Sequence, residues 1–153
     1  MPGTIFLEDF SPGDTREFGA YEVTEEEIIE FAGKYDPQPF HLDHDAAAKS
    51  IFGRLCASGW HTCAMTMRMM VDHMKEIGDG ASLGSPGIDR IRWLKPVFPG
   101  DVLSVKSVVE DVRPSKSKPG IGVVRQSYTV SNQQGEPVMA FTGNAFFPRR
   151  GAG

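Results

Sequence analysis

The sequence predicts an α+β domain in which an antiparallel sheet curves around one long helix. Two observations carry this. From Trp60 to Ile77 apolar side chains recur at helical spacing over roughly five turns. Beyond it, Ile88 to Leu94, Val102 to Val112, Ile121 to Val130 and Pro137 to Phe147 alternate or run apolar, rich in β-branched and aromatic residues. One buried helix followed by a run of strands is the pattern of a sheet with its helix on one face.

At 153 residues the chain is long enough for a single domain, 1–153, with a sizeable core. Its net charge of −4 argues against nucleic acid as a partner, because no basic excess exists to displace counterions. Met1 to Phe10 lacks the basic start and apolar run of a signal peptide, and no window is apolar enough to span a membrane. The expectation is a cytoplasmic protein with no membrane partner. Cys56 and Cys63 fit no metal or redox spacing and read as small buried thiols.

Taken in order, Ile5 to Phe10 leads into the turn Ser11-Pro12-Gly13-Asp14, and Arg16 to Val23 reads as a first strand. Phe98-Pro99-Gly100-Asp101 repeats that turn chemistry before a later strand. Thr24 and Glu27 make a capping box for a short helix with Ile28, Phe31 and Ala32 on its apolar side. That helix delivers the chain to Tyr35-Asp36-Pro37-Gln38-Pro39-Phe40-His41. Each proline fixes its own φ and steers the residue before it away from helix. Asp36 and His41 therefore sit in a stiff loop and lose little freedom when ordered, as an acid/base pair requires. The plainer alternative is a turn cap and a surface histidine.

Asp43 to Ser50 reads as a second short helix, ended by Phe52-Gly53. His41 and His44 stand three apart, but no third ligand follows, so no metal is expected. His61 and His73 have no partner nameable from sequence, and packing is the expected role of His61. Ser58 is a good N-cap for the long helix, and Gly59 lets another group approach its start. The free N–H groups and positive dipole end suit an oxygen that becomes negative during reaction. At about 100° per residue, Trp60, Cys63, Ala64, Met67, Met70, Val71, Met74 and Ile77 share the face expected to be buried. Arg68, Asp72, Lys75 and Glu76 fall opposite, with Met65 and Met69 among them. Gly78 to Gly87 reads as a flexible loop, Arg113 to Gly122 with Lys116 and Lys118 as a solvated hairpin tip, and Arg149 to Gly153 as a frayed tail.

Phe31-Ala32, Asp36-Pro37-Gln38-Pro39-Phe40-His41-Leu42-Asp43, Ala47, Phe52-Gly53 and Ser58-Gly59-Trp60-His61 resemble the hydratase-2 motif of the MaoC-like (R)-specific enoyl-CoA hydratases and dehydratases. Arg92 to Asp101 is similar to a second signature of that family. The chain departs from the motif at Tyr35 and Ser58, where the family commonly has glycine and histidine, and at Gln38, where it has asparagine. The resemblance implies the hot-dog fold and reversible hydration of a trans-2-enoyl thioester to a (3R)-hydroxyacyl thioester. It implies that Asp36 and His41 activate one water, that the Gly59 N–H steadies the enolate, and that Ser58, Trp60 and Phe40 bind substrate. No cofactor is implied beyond coenzyme A as part of the substrate, with an acyl carrier as the other possible handle. A homodimer or dimer of dimers is implied, with the site at the subunit boundary. The bulk of Tyr35, Phe40 and Trp60 suggests a short or branched acyl chain. A hot-dog acyl-CoA thioesterase would use a carboxylate on or near the long helix, and Asp72 lies too far down it. A non-catalytic acyl-thioester-binding protein would have no need of both Asp36 and His41.

Overall fold

The computed structural model describes residues 3–151. Alternation along the strands sets the sheet. In β3 (Val102–Pro114), Leu103, Val105, Ser107 and Val109 turn inwards while Ser104, Lys106 and Glu110 face solvent. β4 (Ile121–Ser131) and β5 (Pro137–Pro148) follow by antiparallel hairpins, and β1 (Thr15–Glu22) and β2 (Gly87–Trp93) close the two edges. The five-stranded order is β1-β3-β4-β5-β2. The turns before β1 and β3 are built alike: Asp14 accepts from the Ser11 N–H at 2.9 Å, and Asp101 from the Phe98 N–H at 2.9 Å. In each, a short carboxylate closes the loop on the residue three back.

Between β1 and β2 run α1 (Glu25–Tyr35), α2 (His44–Ala48) and α3 (Gly59–Ile77). Thr24 accepts the Glu27 N–H at 3.2 Å to start α1, and Asp43 accepts the Ala46 N–H at 2.9 Å to start α2. The main core joins α3 to the sheet through Met65, Met69, Leu103, Val105, Val130 and Met139. A smaller cluster packs Ile5, Leu7 and Phe10 against Val109, Val124 and Phe147.

The buried face of α3 is not the one its spacing predicts. His61, Thr62, Met65, Thr66 and Met69 are buried, whereas Trp60, Met67 and Ile77 are exposed. Two causes combine. Thr66 donates its hydroxyl to the Thr62 carbonyl at 2.8 Å and Thr62 leans on the Ser58 carbonyl at 3.5 Å, so residues that count as polar enter the core satisfied. Gly19 of β1 then admits Met69, because a Cβ there would fall on the Met69 side chain. Arg149 and Arg150 are not frayed as expected. The Arg150 N–H donates to Glu8 at 2.7 Å and its guanidinium to Asp9 at 2.6 Å, while Ala152 and Gly153 lie outside the described residues.

Candidate active site

Asp36 caps the C-terminal end of α1, and its N–H still reaches the Ala32 carbonyl at 2.8 Å. Gln38 is extended, and Pro39 opens a 3-10 turn, Pro39–His41, that swings the imidazole back beneath the loop. The His41 Nδ1 lies 2.7 Å from the Cys56 carbonyl, which can only accept, so Nδ1 carries the proton. In the neutral imidazole that leaves the lone pair on Nε2, which lies 3.4 Å from Asp36 Oδ2. His41 is only 5% exposed, so its orientation is set by packing as well as by this bond.

Asp36 is held at both oxygens. Gln38 Nε2 donates to Oδ1 at 2.7 Å and Ser58 Oγ to Oδ2 at 2.7 Å. Burial alone would raise its pKa, but those two hydrogen bonds, joined by the charge of His41 whenever the imidazole is protonated, bring it below the usual aspartate value. The carboxylate is thus ionised and directed. Ser58 is fully buried and also accepts the Trp60 N–H at 3.3 Å, so with its bond to Asp36 it ties the tip of α3 to the Asp36–His41 loop.

Asp36, His41, Phe40, Gly59 and Trp60 line one cleft of about 440 Å³. Ser58 does not: it stands behind Asp36, and its hydroxyl is committed to the carboxylate. Among the other lining residues are Trp93 and Lys95, to which sequence reasoning gave no role in the site. Trp93, at the end of β2, donates its Nε1–H to the Gly59 carbonyl at 2.9 Å and meets Trp60 edge-on at 5.3 Å. A Cβ on Gly59 would lie 2.5 Å from the Trp93 ring, which is why this position has no side chain. Lys95 lies at the rim, paired with Glu136. The Gly59 N–H has no acceptor among the described residues, so the helix tip can receive an oxygen.

The other histidines are used elsewhere. His44 pairs with Glu25, tying α2 to α1. His61 donates to Glu27 at 3.0 Å, where Tyr21 also donates at 2.6 Å, and stacks on Phe31 at 4.7 Å. These contacts fasten α1 to α3 and β1, and so fix where Asp36 emerges. Asp72 is exposed and paired with Arg68, remote from the cleft. Among the described residues no group of three or more His, Cys, Asp or Glu could hold a metal, and no helix is long and apolar enough to cross a membrane.

Residues 9–132 match the family described as MaoC like domain. The structure is similar to that of a MaoC-like dehydratase from Rhodospirillum rubrum, at 41% identity and a TM-score of 0.85, covering 95% of this chain and 98% of that one. The uncharacterized Bacillus subtilis protein YdeM is 30% identical over 115 residues, 75% of this chain and 80% of its own. The unliganded R-hydratase PhaJ1 from Pseudomonas aeruginosa is 24% identical with a TM-score of 0.73, covering 96% of this chain and 88% of that one. The last is a likeness of fold, and that fold is the hot dog.

Proposed function

The chain belongs to the MaoC-like dehydratase domain family, and from that premise we propose that it reversibly adds water to a trans-2-enoyl thioester, giving the (3R)-hydroxyacyl thioester. The observation that supports this most is the His41 Nε2 lone pair, 3.4 Å from an ionised Asp36 at an open cleft. One water fits such a pair, donating one hydrogen to each. As its oxygen bonds to C3, His41 takes a proton and the double-bond electrons move to the thioester oxygen. The Gly59 N–H stabilises that enolate, a contribution of about 3 kcal/mol for a single donor of this kind. The imidazolium then returns its proton to C2 on the same face, and the thioester carbonyl re-forms. Asp36 orients the water throughout and favours the transient imidazolium.

The carrier is coenzyme A or an acyl carrier protein, entering over Trp60 and Trp93. The protein works as a homodimer or a dimer of dimers. β2 is an edge strand with most of its residues exposed, and Ile88, Trp93, Leu94 and Met67 leave apolar surface beside it. A second copy paired along β2 would satisfy that edge and cover those side chains.

Crotonyl-CoA tests the reading. Loss of the conjugated enoyl absorbance without release of free thiol is expected. Thiol release would make the protein a thioesterase, and no change with any short or branched enoyl-CoA would leave a binding protein.

A further inference from the structure

A second cavity, of about 200 Å³, lies between the C-terminal half of α3 and the inner face of the sheet. It shares no lining residue with the catalytic cleft, and Met67 begins it about 12 Å along the helix from Gly59. Its helix wall is Met67, Met70, Val71 and Met74.

The sheet wall is different in kind. Strand register places Arg16, Ser107, Tyr128 and Phe141 side by side in one row across β1, β3, β4 and β5. The adjacent row, Phe18, Val105, Val130, Met139 and Trp93, is wholly apolar. In the polar row nothing is paired. The Arg16 guanidinium has no carboxylate within 4 Å among the described residues, although it is partly buried and lies over Phe10 at 5.4 Å. Asp9 is near enough to feel its charge, but Arg150 and the Phe6 N–H occupy that carboxylate. The Tyr128 hydroxyl makes no hydrogen bond among the described residues, and Tyr128 is 8% exposed.

From the helix, His73 faces the same space, stacked on Phe18 at 4.2 Å. Both its ring nitrogens are buried without a hydrogen-bond partner, and Glu76 stands off at 3.6 Å. Buried polar groups are normally satisfied, so the two bare nitrogens of His73, with an unpaired guanidinium and hydroxyl lining the same cavity, point to a missing acceptor. One unpaired guanidinium with neutral donors beside it matches a monoanion, and the planar fork matches a carboxylate.

We propose that this cavity binds an apolar chain ending in a carboxylate, with the carboxylate on Arg16 and Tyr128 and the chain along the methionines of α3. The chain is either the ω-carboxylated acyl group of the thioester, in which case the proposal rests on the hydration reading, or a separate fatty carboxylate, in which case it does not.

Isothermal titration with octanoate and octan-1-ol tests the shared chemistry. Wild type should bind octanoate at least about tenfold tighter than the alcohol, the scale of one charged hydrogen-bonded contact. Arg16→Met should bring the two within about twofold, Arg16→Lys should restore part of the gap, and Tyr128→Phe should weaken octanoate alone. The second arm compares kcat/KM for trans-2-enoyl-CoA esters of equal length ending in methyl or carboxylate. A tenfold preference for the carboxylate, lost in Arg16→Met, assigns the cavity to the substrate. Equal rates with octanoate binding retained assign it to a separate ligand. Equal affinity for octanoate and octanol in wild type, together with equal rates for the two esters, overturns the proposal. Asp36→Asn should abolish hydration and leave octanoate binding intact, so failure of either reading is seen separately.

Discussion

At the N-terminal tip of α3 the side chains of the candidate site are each held by a hydrogen bond: His41 with Cys56, Asp36 with Gln38 and Ser58, and Ser58 with Trp60. Over the C-terminal half of the same helix, Arg16, Tyr128 and His73 line a cavity with no hydrogen-bond partner among the described residues. The two regions teach different things about polar side chains in a fold. A satisfied network stores geometry, because each member holds the next at the distance the chemistry needs. An unsatisfied lining stores affinity, and until a ligand arrives it is a standing loss of stability.

The largest effects should come from the satisfied end. His41→Ala and Asp36→Asn should each lower kcat/KM for enoyl-CoA hydration by about 10² to 10⁴, the range for a positioned general acid or base. Circular dichroism should stay native. Full activity in either variant would break the assigned roles.

Gly59→Ala comes next. Its methyl would collide with the Trp93 ring, so a destabilisation of about 1–3 kcal/mol and a displaced indole are expected. In a Trp93→Ala background that cost should fall by more than half, as two residues in contact should couple. Additive costs in denaturant titration would show that Trp93 is not what keeps position 59 bare.

Removing a hydroxyl sharpens the comparison further, because the sign should invert. Ser58→Ala deletes a helix cap and a donor to Asp36, and should lose about 1–2 kcal/mol. Tyr128→Phe deletes a hydroxyl with no partner and should gain up to about 1 kcal/mol, some 2–4 °C in Tm. Thermal melts of the unliganded protein check both, and two losses of equal size would erase the distinction.

The smallest effect is a pH slope. Burial holds His61 below the ordinary histidine value against the opposing pull of Glu27, and burial with the nearby Arg16 does the same for His73. Below about pH 6.5 the unfolded chain binds protons that the native state refuses. Stability should therefore fall as pH drops from 7 through the unfolded value, by at most about 1.4 kcal/mol per pH unit for each histidine, and level off below the folded values. His73→Phe should remove one proton's share of that slope. An unchanged slope would mean that His73 is already charged in the native protein.

The loop from Asp36 to His41 was legible because its constraints are local. Pro37 and Pro39 stiffen the segment by their own covalent geometry, and the Thr24 and Asp43 caps act within three residues. The packing of α3 was not legible by spacing. Thr62 and Thr66 count as polar in any periodicity, yet they reach the core by turning their hydroxyls onto the helix backbone. Gly59 was read as room for an approaching group, and the group turned out to be Trp93, 34 residues on.

By itself the sequence determined the element order, the turns before β1 and β3, and the pairing of an aspartate with a histidine in one rigid loop. Those follow from dihedral limits and contacts a few residues apart. Tertiary structure alone decided which side of α3 meets the sheet, that Ser58 serves Asp36 from behind, and that Arg16, Ser107 and Tyr128 share a row. Such neighbours are set by strand register and by the seat of the helix on the sheet, and both depend on the summed packing of residues far apart in the chain.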